Sequence, residues 1–214
     1  MAELIELDAT QEVYGQYFPN PWLSVPKAPV SSGQGDEAAI LFMSNGLILS
    51  LQAKWGLVQN WRNYDHAPYY YAAVETISHQ WTLFEAFRNR RCIIPATSFS
   101  YLREVDGATL RYRLRAAREE LLLLGGILEP NVQHSCPSAT MALITTKPNR
   151  KLSPYGLPVP LVLTKKQVRP WLNPYTDISD VRGFVRPCSR GALLLEITLE
   201  RRSASAAEQA FSLT

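Results

Sequence analysis

Short apolar runs separated by turn residues dominate the pattern of hydrophobic and polar positions along the chain. Two runs of strand length, AAILFMS and LILSLQAKW, flank Asn45-Gly46, the dipeptide that best tolerates the positive φ angles of a tight hairpin turn. Further runs of strand length are RCIIPA, LRYRLRA after an Asp106-Gly107 turn, ELLLLGGIL, TMALITT and GALLLEITL. The pattern therefore predicts a strand-rich chain with hairpins at these two dipeptides.

Helical spacing occurs in two places. Four apolar residues after Thr76, a residue type suited to an N-cap, predict an amphipathic helix over ISHQWTLFEAFRNR whose apolar stripe faces the core. The stripe consists of Ile77, Trp81, Phe84 and Phe87. Residues 164–167 have the form of a capping box and predict a second, short helix that Pro170 distorts. Strands with a few scattered helices favour an α+β fold over an alternating parallel βαβ fold.

Length and composition indicate one domain of ordinary size. The chain has 214 residues, of which 46% are hydrophobic, and we assign residues 1–200 to the domain and 201–214 to a polar tail. Residues 27–37, rich in Pro, Ser and Gly, are interpreted as a surface loop. The formal charge of +3 permits contact with nucleic acid but lacks the clustered stripe that would demand it.

Targeting and metal-binding patterns are absent from the sequence. The N-terminal MAELIELDATQEVY is acidic where a signal peptide is basic, and no apolar run reaches membrane-spanning length, so we expect a cytoplasmic protein without membrane contact. Three cysteines and three histidines lack metal-ligand spacing, so neither a metal nor a cofactor is predicted and the thiols are expected to be reduced. These residues are Cys92, Cys136, Cys188, His66, His79 and His134. The neighbouring pairs Asp65-His66 and His134/Cys136 are interpreted as solvated loops.

Six ordered segments carry a family resemblance. They are KWGLVQNW (54–61), AAVET (72–76), RRCIIPATSF (90–99), GGILE (125–129), LITTKPN (143–149) and PLVLT (160–164). In this order and spacing they resemble the SOS-response-associated peptidase (SRAP) family. The resemblance implies a strand-rich α+β domain with mixed and antiparallel sheets, a barrel-like core and a few helices.

The resemblance also implies a chemistry. In the family, removal of Met exposes a cysteine whose amine and thiol capture the aldehyde of an abasic site in single-stranded DNA, and an Asn, an Arg, a Glu and a His assist. At the matching positions this sequence has Ala2 for Cys, Tyr71 for Asn, Ala73 for Arg, Tyr101 for Glu and Gly156 for His. None of these side chains can perform the family's role, so no catalytic residue is assigned and no peptidase activity is expected.

The substituted positions raise the question of what the tyrosines do. A gap in the match near Gly156 would place Pro154 or Tyr155 at the family's histidine position instead. Neither side chain can act as an imidazole does. Tyr71 and Tyr101 are interpreted as filling a pocket that the family keeps polar. Tyr69 and Tyr70 are interpreted as ordinary half-buried residues.

Three functions from different classes follow. The leading one is a catalytically inactive SRAP-like protein of DNA-damage handling that still binds single-stranded or abasic-site DNA. Its candidate contact residues are Trp61, Arg62, Tyr71, Arg90 and Arg91. The second is reduced chemistry, in which the Ala2 α-amine forms an imine with an abasic aldehyde. The third is a protein-interaction module built on the filled cleft.

Overall fold

The computed structural model describes residues 2–20, 23, 29–58, 67–131, 138–189 and 191–200. The strands are β1 (Ala2–Leu7), β2 (Val30–Gly33), β3 (Glu37–Ser44), β4 (Leu47–Trp55), β5 (Tyr71–Ala73), β6 (Arg91–Ala96), β7 (Ser98–Val105), β8 (Ala108–Ala116), β9 (Leu122–Asn131), β10 (Ser138–Thr146), β11 (Val159–Pro160), β12 (Val162–Leu163) and β13 (Leu193–Glu200). The helices are α1 (Gln11–Tyr17), α2 (Val74–Ile77), α3 (Trp81–Asn89), α4 (Val168–Leu172) and α5 (Ile178–Phe184), with 3-10 turns at Ser153–Tyr155 and Lys165–Gln167.

Five strands close into a barrel. Strand β10 pairs with β4, β4 with β3, β3 with β6, β6 with β9, and β9 returns to β10. The β10–β4 pair is parallel and the other four are antiparallel, while β5 runs parallel to β10 beyond the end of β4. The expected strand-rich α+β fold with mixed sheets and a barrel-like core is confirmed.

A second, antiparallel sheet is joined directly to the barrel. Its strand order is β13-β8-β7-β1-β2. Strand β6 of the barrel becomes β7 of this sheet across the single residue Thr97, whose backbone N–H donates to the Glu6 carbonyl at 2.7 Å. The chain therefore passes from one sheet to the other without a loop, which fixes their relative position.

Alternate residues of the barrel strands supply two hydrophobic clusters on opposite faces. On β6, Ile93 belongs to one cluster while Cys92 and Ile94 belong to the other. The first cluster, which we call the helix-side cluster, includes residues from α1, α3, α4 and α5. The second, which we call the sheet-side cluster, includes Trp55 of β4 together with Phe99 and other residues from the second sheet. Both faces of β6 are therefore buried.

Two adjacent glycines let β9 lie close to its neighbours. A Cβ added at Gly126 would lie 2.6 Å from Ile94 Cδ1 and 3.0 Å from the Ala142 carbonyl oxygen. A Cβ at Gly125 would lie 2.7 Å from Leu161 Cδ2. The two glycines of the GGILE segment thus have a steric explanation, since a Cβ at either position would force the Ile94 or Leu161 side chain to shift.

The hairpin predictions are confirmed. Asn45 and Gly46 have φ angles of 50° and 77°, and they join β3 to β4 with Ser44 opposite Leu47. Asp106 and Gly107 repeat this geometry between β7 and β8. The capping-box prediction also holds, because the Gln167 side chain accepts a hydrogen bond from the Thr164 backbone N–H at 2.8 Å.

The predicted helix after Thr76 is wrong in its start and in part of its face. Thr76 lies inside α2, and its hydroxyl donates to the Ala73 carbonyl. The chain then turns at residues 78–80 before α3 begins, which changes the helical phase. Trp81 is consequently 74% exposed, whereas Ile77 and Phe87 are buried as predicted.

The loop predicted for residues 27–37 is wrong over part of its length. Val30–Gly33 form β2, which pairs with β1, because sheet pairing overrides the poor strand propensity of Ser and Gly. Residues 24–28 and the tail 201–214 lie outside the described residues. No helix within the described residues has the length and apolar character needed to cross a membrane.

Replacing Gly126 tests the close approach of β9. We expect Gly126→Ala to lower the free energy of unfolding by about 1–3 kcal/mol, because the added methyl overpacks the barrel wall. Gly183, inside α5 with no heavy atom within 4 Å of an added Cβ, provides the control. Gly183→Ala should raise stability by up to about 1 kcal/mol. Urea denaturation measures both, and equal stability of the two variants would contradict the steric argument.

Candidate functional site

The positions matched to the family's chemistry meet at the start of the first strand. In the β1–β7 ladder, Ala2 lies opposite Leu102 and Glu3 lies opposite Tyr101. Tyr71 opens β5 in the barrel, beside Leu143 of β10. The fold therefore brings three separate segments of the chain to one place, on the sheet-side cluster.

Tyr101 is completely buried, with a relative exposure of 0%. Its hydroxyl donates a hydrogen bond to the Pro158 carbonyl oxygen. Burial raises the pKa of Tyr101 far above its ordinary value, and the neighbouring Tyr71 and Glu3 add to this effect. The phenol is therefore a neutral, shielded group that anchors the segment after Gly156 to β7.

A chain of aromatic rings connects Tyr71 to Tyr101. The Tyr71 and Trp55 ring centroids are 5.9 Å apart, those of Trp55 and Phe99 are 6.1 Å apart, and those of Phe99 and Tyr101 are 5.0 Å apart. All three contacts have the edge-to-face geometry that aromatic quadrupoles favour. We call these four residues the aromatic chain. Tyr69 and Tyr70, beside it, are half-buried as expected.

A buried carboxylate, Glu3, lies at the end of the aromatic chain. It is 4% exposed, and its Oε2 accepts a hydrogen bond from Gln34 Nε2 at 2.7 Å. Burial raises the pKa of Glu3, which the nearby Tyr71 hydroxyl partly opposes. Burial likewise raises the pKa of Tyr71, whose hydroxyl oxygen makes no hydrogen bond of regular geometry within the described residues.

Sequence reasoning missed Glu3 and Gln34. Both belong to parts of the chain without a family motif, and only the register of β1 against β7 reveals that Glu3 faces Tyr101. The alternation ELIEL near the N-terminus, a period of two in a strand, was the available indication.

Gly156 lies on the exposed rim of this region. It has φ +60° and ends the 3-10 turn Ser153–Tyr155, a conformation that glycine adopts without strain. The preceding Tyr155 packs its ring edge-on against Tyr112, which lies opposite Tyr101 in the β7–β8 ladder. The segment matched to the family's histidine therefore covers the aromatic chain but presents no acid–base group to it.

Arg90, one of the candidate DNA contacts, is held by carboxylates. Its guanidinium forms ion pairs with Glu85 and, at 2.7 Å, with Glu129. Burial alone would lower the pKa of Arg90, but the two carboxylates have the larger combined effect and raise it. Its charge is neutralised locally.

Arg91, the next candidate contact, is only 3% exposed. Its guanidinium donates to the carbonyls of Trp171 and Asn173, both at 2.6 Å, and to that of Phe87 at 2.8 Å. Burial lowers its pKa to about 10, so the side chain remains a cation at neutral pH. Arg91 thus ties α3 and α4 to the barrel. Trp61 and Arg62, the remaining candidates, lie outside the described residues, as do His66, His134 and Cys136.

An open cavity of about 710 Å³ lies away from the aromatic chain. Its lining includes Tyr17, Leu123, Val162 and Lys165, and it shares no lining residue with that chain. Tyr17 donates to the Glu119 carboxylate at 2.7 Å, and Lys165 pairs with the same carboxylate at 3.1 Å. Three polar groups of this cavity, those of Tyr17, Glu119 and Lys165, are therefore already paired with each other.

Comparison with known proteins now identifies the family. The family model described as SOS response associated peptidase (SRAP) matches residues 34–198. This chain belongs to the SRAP family. The resemblance drawn from the six sequence segments is thereby confirmed.

Several relatives of this SRAP protein are named abasic site processing proteins. The abasic site processing protein YoqW of Bacillus subtilis (strain 168) is 30% identical over 139 residues, which cover 63% of this chain and 62% of the relative. A protein of the same name in Bacillus phage SPbeta matches equally. YoaM of Bacillus subtilis, also named an abasic site processing protein, is 29% identical over 169 residues, 77% of this chain and 73% of that protein. The chain thus spans about 62% of the length of the YoqW relatives.

Solved structures share the fold. A crystal structure of a Bordetella bronchiseptica protein superposes with a TM-score of 0.73 at 17% identity, covering 93% of this chain and 99% of that one. A Bacteroides thetaiotaomicron protein has a TM-score of 0.68 at 19% identity, covering 90% and 83%. At these identities the likeness establishes the architecture alone.

Restoring the family's carboxyl at position 101 tests how tightly the SRAP site is filled. A carboxyl buried among the rings has its folded pKa raised, so stability is retained below the unfolded value of about 4.3 and is lost as pH rises above it. Tyr101→Glu should therefore lose about 1.4 kcal/mol of unfolding free energy per pH unit above about pH 4.3, relative to the unsubstituted protein. Denaturation between pH 4 and 8 measures this slope.

The half-buried Tyr112, opposite Tyr101 in the ladder, provides the matched control. Tyr112→Glu should show a much smaller slope, because its carboxyl can reach water. A Tyr101→Glu variant with flat pH dependence would mean that position 101 is open to solvent.

Proposed function

We propose that this SRAP protein binds single-stranded DNA, including DNA with abasic sites, without forming the family's covalent link. The observation that carries the proposal is Tyr101, fully buried and hydrogen-bonded at the position where the resemblance expects the acid–base carboxyl. The abasic site processing proteins of Bacillus supply the connection to damaged DNA.

The side chains at the matched positions explain why we expect no covalent link to DNA. Capture of an abasic aldehyde as a thiazolidine needs a thiol beside the α-amine, and Ala2 has no sulfur. Proton transfer needs a group that titrates near neutral pH, and burial moves the phenols of Tyr71 and Tyr101 far away from that range. The aromatic chain also occupies the space between these positions.

DNA binding requires fewer specialised groups than covalent catalysis does. Bases of single-stranded DNA stack on exposed aromatic rings, and its phosphates pair with cations, so neither step requires an open catalytic pocket. The pair Trp61-Arg62, directly after the KWGL segment, has the residue types for both contacts. A net charge of +3 favours the approach of a polyanion.

Glu3 favours a second candidate function. If Met1 is removed, the Ala2 α-amine lies one residue from a buried carboxyl with a raised pKa, the kind of group that can handle protons during imine formation. The amine would condense with the abasic aldehyde and release water, and without sulfur the imine would remain open to hydrolysis. This reaction would require the region around Glu3 to open, because the side chain is 4% exposed.

Fluorescence anisotropy with labelled single-stranded DNA tests the binding function. We expect a Kd in the micromolar range or tighter at low salt, with affinity that falls as salt rises. Incubation with abasic single-stranded DNA followed by a denaturing gel should show no stable adduct. An adduct seen only after borohydride reduction would establish the imine chemistry in its place, and no binding at low salt would refute the proposal.

A double variant tests the contact residues. Trp61→Ala/Arg62→Ala should weaken binding by about tenfold or more, because one stacked base contributes on the order of 1–3 kcal/mol and one phosphate contact is lost as well. Trp81→Ala/Arg88→Ala removes the same two residue types from exposed positions of α3 and should leave affinity unchanged. Equal affinity of the two double variants would remove Trp61-Arg62 from the interface.

A further inference from the structure

A long stretch of the chain carries only positive charge. The 47 residues from 130 to 176 contain six Lys or Arg and no Asp or Glu. Three of the six cations, Lys147, Arg150 and Lys151, fall within five residues, in the segment that follows β10. A charge run is often only a solvated surface, so the structural setting decides its meaning.

The segment is held in one conformation by Asn149. Its side-chain oxygen accepts from the backbone N–H groups of Lys151 and Leu152, at 3.0 and 3.1 Å. Its side-chain nitrogen donates to the Cys188 carbonyl at 3.3 Å. This clamp brings a fourth cation close, since Arg186 lies two residues before Cys188 and two residues span at most about 7 Å.

The segment is also anchored to the aromatic chain. Leu152 and Leu157, at 2% and 3% exposure, are buried in the cluster that contains Trp55, Phe99 and Tyr101. Cys188 packs against the same cluster. The two segments that carry the four cations are therefore both packed against the cluster that contains the aromatic chain.

All four cations are exposed. Within the described part of the chain, none of the four forms an ion pair, in contrast to Arg90 and its two carboxylates. Unpaired exposed cations with no carboxylate on their own segment repel each other and favour a polyanionic partner.

We propose that Lys147, Arg150, Lys151 and Arg186 form the surface that binds the phosphates of single-stranded DNA; this inference rests on the proposed function. The clamp and the buried leucines pre-organise the backbone, so binding orders only the side chains. The contacts are to phosphates and carry no base specificity. The surface would hold DNA across the filled site whether or not a base is missing.

Charge removal with a matched control tests this surface. Arg150→Gln/Lys151→Gln removes one Arg and one Lys from it. Lys166→Gln/Arg169→Gln removes the same two charges from exposed positions of the same acid-free stretch, next to the helix-side cluster. Anisotropy with labelled single-stranded DNA is measured for the unsubstituted protein and both variants from 50 to 300 mM salt, and thermal melting verifies that all three are folded.

We expect the first variant to lose affinity on the order of tenfold at 50 mM salt and its salt slope to fall by about 1.4, since each contact with single-stranded DNA contributes about 0.7. The control variant should keep the slope of the unsubstituted protein. If the unsubstituted protein binds and both variants show the same slope, the surface is refuted while the binding function stands. If the unsubstituted protein does not bind, the proposed function fails, and this inference fails with it.

Discussion

The pairing of β9 on both of its edges is the constraint on which the rest of the structure depends. Gly126 lies opposite Cys92 of β6 and opposite Leu143 of β10, so the barrel closes at this residue. A Cβ added to Gly126 would lie too close to Ile94, and one added to Gly125 would lie too close to Leu161. Two residues without side chains thus determine how near the strands come, and a small barrel tolerates little variation in that distance.

Barrel closure positions the aromatic chain. Strand β10 aligns β4 and β5 end to end along one edge, which brings Trp55 beside Tyr71. Strand β6 continues into β7, which carries Phe99 and Tyr101 to the same cluster. The rings therefore come from both sheets and stabilise their junction, since each edge-to-face pair adds about 0.5–1.5 kcal/mol beyond its buried area.

Much of the fold could be predicted from short-range pattern, because the hairpins at Asn45-Gly46 and Asp106-Gly107 depend on local φ angles and the strand runs on local alternation. Prediction failed where contacts between distant parts of the chain determine the position or exposure of a residue. Trp81 is exposed because a turn after Ile77 shifts the helical phase, and no residue type at that point demands a turn. The family resemblance located Tyr71 and Tyr101, but only strand register places Glu3 beside them. Arg91 likewise looks like a surface cation until the carbonyls around it are known.

The burial of Tyr101 and Glu3 and the exposure of the four cations both favour DNA contact at the surface over DNA contact within the aromatic chain. A phosphate brought next to Tyr101 would lose its hydration and meet a buried Glu3 instead of a cation, so DNA has no favourable path into the aromatic chain. On the proposed surface beside Leu152 and Leu157 the same phosphate would stay hydrated and would meet four exposed cations that form no ion pair within the described residues. Salt-dependent contact from outside is therefore compatible with a filled interior, whereas imine formation at the Ala2 amine would require the region around Glu3 to open. In this chain, the packing that stabilises the junction of the two sheets also buries Tyr101, the position that the resemblance matches to the family's carboxyl.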